Sequence, residues 1–168
     1  MVRRATKIKN TQKLYYGVRT TLDVTDECLR RLYDYWSRHR ESGRLPARTD
    51  VDPVELRRYC HHLALFEVRH KPLRIDLRLK VAGIESWIGN DLSGERPSTE
   101  SSSPLQASPR ACLACAAERG MPCHWISETR CATASYAIEA LFLPFADDGV
   151  MVDAVLIASR RPPADASP

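Results

Sequence analysis

No stretch of the chain approaches the roughly 20 consecutive apolar residues that a membrane-spanning helix needs, so no membrane span is expected. Arg3, Arg4, Lys7 and Lys9 have no apolar run behind them, which argues against a secretory signal and makes the cytoplasm the expected compartment. Glycines are few. Gly83, Gly89 and Gly94 lack the close spacing and the Lys-Ser or Lys-Thr ending of a loop that cradles phosphates. Hydroxyls gather between Ser98 and Ser103 with no glycine-framed elbow around them, so no set of nucleophile, base and orienting group can be picked out. These absences point away from an enzyme. Nothing in these residues reads as a histidine-kinase or nucleotide-cyclase region either.

What is present fits one domain. A length of 168 residues with 43% hydrophobic content supports a core of ordinary size. Six cysteines in a chain without a leader are expected to be reduced thiols rather than a disulfide framework. The net charge of +4 is unevenly spread, with 19 Lys and Arg against 10 Asp and Glu in residues 1–80 and 6 against 11 in the remainder. Such a basic half permits attraction to nucleic acid or another acidic surface through Arg3, Arg4, Lys7, Lys9, Lys13, Arg30, Arg31, Arg38 and Arg40. No base-reading motif accompanies it, so a solvated basic face is the expected reading and nucleic acid is the alternative.

Residues 1–22 read as a basic, mobile arm, 23–160 as the domain and 161–168 as a proline-rich, disordered tail. Thr25 or Asp26 can cap a helix over 26–42, whose buried stripe is predicted from Cys28, Leu29, Leu32, Tyr33, Trp36 and His39. Ser42-Gly43 ends it and Pro46 prevents its resumption. Asp52-Pro53-Val54-Glu55 starts a short helix to about Cys60. Strands follow at Leu63–Val68 and Leu73–Val81. In the second, Leu73, Ile75, Leu77, Leu79 and Val81 alternate with charged residues and predict one apolar face. A short helix is expected over Gly83–Gly89 and a loop to Pro104, then a helix from Ala107 or Ser108 to Gly120. Three strands close the domain, at Cys123–Thr129, Tyr136–Phe145 and Val150–Ser159, the last two joined by a turn at Asp148-Gly149. The fold class from these residues is α+β with an antiparallel sheet.

Several of these landmarks occur together in one known family. Tyr35-Trp36, Arg44-Leu45-Pro46-Ala47-Arg48, Asp50-Val51-Asp52-Pro53, Phe66-Glu67-Val68, the Leu77–Gly83 run, Gly89-Asn90-Asp91-Leu92-Ser93-Gly94 and Leu143-Pro144-Phe145 with Asp148-Gly149 resemble the bacterial single-domain PAS family. The chain departs from that pattern between Arg96 and Pro109. The resemblance implies a five-stranded antiparallel sheet with helices on one face, and the amphipathic helix is the candidate to cover the other. It also implies a sensory or protein-interaction module, with a small ligand between sheet and helices, and a homodimer or protein partner contacting the helix at 26–42.

Trp87, Cys112, Cys115 and Trp125 are the residues expected to line such a ligand pocket, and ordinary core is the competing reading for each. Cys112, Cys115, Cys123, His124 and Cys131 have the composition of a zinc site, but a pair one helical turn apart and a pair along strands fit buried core thiols better. A thiol redox pair at Cys112 and Cys115 is a weaker reading still. His61-His62 reads as a helix-end cap, and no histidine is singled out as a haem ligand. No cofactor is assigned.

Overall fold

The computed structural model of the chain describes residues 9–15, 24–59, 62–80, 94–95, 109–130 and 135–160. In chain order these form β1 (Lys9–Tyr15), α1 (Glu27–Arg38), a 3-10 turn (Arg48–Asp50), α2 (Pro53–Tyr59), β2 (Leu63–Arg69), β3 (Arg74–Lys80), β4 (Gly94–Glu95), α3 (Pro109–Arg119), β5 (Cys123–Arg130), β6 (Ser135–Phe145) and β7 (Ala154–Arg160). One antiparallel sheet takes them in the order β1-β5-β6-β7-β2-β3-β4. The five expected strands are its centre. The expected helix at 83–89, Cys131, His61 and the carboxyl-terminal tail lie outside the described residues.

Helix α1 forms where the sequence caps it. The Asp26 carboxylate accepts from Leu29 N at 3.0 Å, and Glu27 and Arg38 complement the helix dipole at its two ends. Its buried face is Leu29, Leu32, Tyr35 and Trp36, so Tyr35 lies inside, while the expected Cys28, Tyr33 and His39 flank the stripe half-buried. The helix ends at Arg38, before the predicted 42, and Ser42 and Gly43 then turn the chain with positive φ. Burying an indole such as that of Trp36 contributes about 2 kcal/mol.

Side-chain alternation assigns the helices to opposite sides of the sheet. Glu139, Leu141 and Leu143 on β6 share a side with His124, Leu156 and Ala158, and this is the side that α1 grips through Glu139 and Arg160. Cys123, Trp125 and Ser127 on β5 share the other with Ala140, Phe142, Val155 and Ile157, where Cys123 meets Cys115 of α3. With both sides covered, β6 and β7 are buried almost throughout.

Three findings depart from the sequence expectation. Lys9–Tyr15, within the arm expected to be mobile, pairs along β5 as β1. Backbone donors and acceptors on an open strand edge seek partners whatever the side chains, so a polar segment can be recruited there. The turn after β6 is longer than Asp148-Gly149 alone: Asp148 accepts from Val150 N and Met151 N, both at 2.8 Å, and β7 begins at Ala154. In β3 the predicted alternation breaks. Leu79 opposes Leu65 but Leu77 opposes Phe66, leaving Arg78 as an extra residue in a bulge, so Leu77 and Leu79 face opposite sides.

Candidate functional site

The side of the sheet beneath α1 holds a buried histidine–carboxylate hydrogen bond that composition alone does not reveal. His124 is 0% exposed and Glu139 6%, with His124 Nε2 and Glu139 Oε1 2.7 Å apart. The same carboxylate receives the hydroxyl of Thr25 at 2.7 Å and the backbone N–H groups of Thr25 and Asp26 at 2.7 and 2.9 Å. Burial pushes the Glu139 pKa up, yet the hydrogen bonds from His124 and Thr25 outweigh it and hold the group below its ordinary range. Glu139 thus fastens the amino end of α1 to the centre of the sheet. Further along, Trp36 donates its indole N–H to the Pro144 carbonyl at 2.9 Å, and Arg160 reaches Asp26 at 3.3 Å.

The Arg44–Arg48 motif lies against the turn after β6. Leu45 N donates to the Gly149 carbonyl at 2.9 Å and Ala146 N to the Pro46 carbonyl at 3.0 Å. The Arg44 side chain crosses Gly149 and donates to the Asp148 carbonyl, and a Cβ at Gly149, whose φ is +77°, would meet that guanidinium. Arg48 bridges Asp147 and Asp153 at 3.3 and 3.5 Å. The motif is a structural clamp. From it the chain runs into α2, whose preceding Asp52 N donates to the Tyr35 hydroxyl of α1 at 3.2 Å.

Between α2 and the sheet lies a pocket of about 120 Å³. Its walls are Leu56 of α2 with Leu65, Leu79, Phe145 and Leu156 of the sheet, and Arg57 stands at its edge. Leu79, opposite Leu65 in the ladder, faces this side and remains 52% exposed, while the bulge at Arg78 turns Leu77 to the other. A larger polar cleft of about 400 Å³, between the end of α1 and the turn after β6, is lined by both signs of charge, with Arg38, Arg44, Asp50 and Asp147 among them.

The residues singled out from the sequence fall elsewhere. Cys112, Cys115 and Trp125 are buried core on the α3 side, away from the pocket under α2, and Trp87 lies outside the described residues. Cys123 shares the α3 side, but the pleat sends His124 to the other, so the zinc-like composition is divided between two faces. Among the described residues no group of three His, Cys, Asp or Glu is placed to hold a metal ion. A hydrogen bond with Cys123 lowers the Cys115 pKa, while burial raises that of Cys112. Of the arginines in the basic half, Arg31, Arg69, Arg74 and Arg78 face Glu27, Asp76 and Glu67, Arg30 donates to the Val24 carbonyl, and Arg40 lies over the Trp36 ring.

Sequence reasoning missed Glu139 and the walls of the pocket, and it named Tyr35 as a landmark without placing it in the buried stripe. A lone carboxylate inside the apolar run from Ala137 to Phe145 was the available signal for Glu139, because such a charge in a buried strand needs a partner.

The antiparallel sheet with its few helices is consistent with comparison against known families. A model described as PAS domain matches residues 24–156, and the chain belongs to that family. No curated protein and no solved structure matches it. No helix among the described residues is long and apolar enough to cross a membrane.

Proposed function

We propose that this PAS domain is a sensory or protein-interaction module that makes and breaks no bonds, and that its output is the seating of α1. The observation that carries the reading is the way α1 is held. Its apolar stripe is used up on its own sheet, its amino end rests on one carboxylate, and its Tyr35 touches α2. An element fixed at a few polar points can be re-seated by a small change at any of them, provided the stimulus binds the two seatings with different affinity.

The outward side of α1 carries Glu27, Arg31, Asp34 and Arg38, all exposed, and offers a charged docking surface to another protein chain. The buried thiols Cys112, Cys115 and Cys123 are free, which suits a cytoplasmic location.

In-cell cross-linking with mass spectrometry tests this on the full chain and on an Arg31→Glu, Arg38→Glu variant. A discrete partner, or a second copy of the chain, should be captured by the first and lost from the second. Identical background from both would end the reading.

A further inference from the structure

We infer that the pocket between α2 and the β2–β3 hairpin is a binding site for a small apolar carboxylate, a molecule of the benzoate or hexanoate kind. The inference rests on the sensory reading for its purpose and names the class of ligand. Three features of the pocket carry it.

The first is size and lining. About 120 Å³ walled by Leu56, Leu65, Leu79, Phe145 and Leu156 matches one aromatic ring or a short alkyl chain, since a cavity of about 150 Å³ lined by such residues takes benzene. It is too small for a nucleotide or a haem.

The second is the bulge in β3. A regular ladder across Leu65 and Phe66 would place Arg78, not Leu77, opposite Phe66. The extra residue instead sends Leu77 to the α3 side, whereas Leu79, opposite Leu65, stays on the pocket side and is 52% exposed. The bulge re-aims Leu77 at the cost of regular pairing and leaves Leu79 as the apolar residue of β3 on this face, where an apolar side chain in a half-open apolar pocket gains its burial from an occupant.

The third is charge. Two arginines border the pocket, but Arg48 is neutralised by Asp147 and Asp153. Arg57 is exposed and has no ion pair or hydrogen bond among the described residues, so the uncompensated charge at the rim is positive. A guanidinium there accepts a carboxylate through two parallel N–H···O bonds while the hydrocarbon enters the pocket.

Calorimetric titration of the full chain with benzoate and hexanoate, and with benzamide and hexanamide as neutral counterparts, tests the assignment. At least one acid should bind about tenfold more tightly than its amide. Arg57→Ala should erase that difference and leave the amide affinity unchanged. Leu79→Asp, at a half-exposed strand position and checked for an unchanged circular dichroism spectrum, should abolish binding of both forms. The assignment falls if neither acid binds at millimolar concentration, if acid and amide bind alike to the unaltered chain, or if Leu79→Asp binds as before. Such a failure alongside an intact cross-linked partner would remove the pocket alone. Binding as described with no partner captured would remove the interaction reading instead.

Discussion

Glu139 is the residue on which most converges, because one carboxylate satisfies a histidine, a hydroxyl and two backbone donors at once. Replacing it with Gln would turn an amide N–H₂ toward some of those donors and leave buried groups unmatched. We expect Glu139→Gln to lose about 3 kcal/mol in urea denaturation at neutral pH, and a loss under about 1 kcal/mol would contradict the role given to it. The pH dependence has a definite sign. With its folded pKa depressed below the ordinary 4.5, Glu139 stabilises fully above that value and its contribution is lost as pH falls through the folded value. Denaturation series from pH 6 downward should therefore show the unaltered chain losing stability below about pH 4.5 more steeply than Glu139→Gln. None of this is written locally. Thr25 and Glu139 are 114 positions apart, and only the fold brings them together.

At the level of strands and helices, periodicity revealed what it could. The cap at Asp26, the start at Asp52-Pro53 and the strands around Phe66 and Phe142 all follow from local chemistry and appear where expected. Two features escaped it. The bulge was hidden because Leu77 and Leu79 satisfy a strict alternation perfectly well, and only the partner strand can insert a register shift. Strand β1 was hidden because its sequence, Lys-Asn-Thr-Gln-Lys-Leu-Tyr, has almost no apolar period, its pairing resting on the backbone. A chain starting at residue 23 should consequently stay folded but expose the edge of β5. Light scattering across a concentration series should show it associating where the full chain does not, and identical behaviour would argue that β1 protects nothing.

For the molecule as a unit, family membership emerged from residues 24–156, whereas the place of the pocket did not. The pocket depends on α2 standing over a bulged hairpin, a relation between segments that no single stretch encodes. Its neighbours connect it to α1 by two short routes. Phe145, in its wall, follows Pro144, whose carbonyl holds Trp36, and α2 joins α1 through Tyr35, whose ring lies 5.4 Å from that of Tyr59. Whatever displaces Phe145 or α2 is felt where α1 is fastened.

Trp36 gives this arrangement an intrinsic fluorophore. Its indole is 1% exposed, bonded to Pro144, stacked on Tyr33 and crossed by the Arg40 guanidinium 5.2 Å from the ring centre, so its emission registers small displacements of any of the three. Excitation at the red edge of tryptophan absorbance during the benzoate titration should change the emission of the native chain, and Trp36→Phe should remove most of that response. An undiminished signal in Trp36→Phe would mean that the optical change originates elsewhere. The protein would otherwise report on its own occupancy without any attached dye.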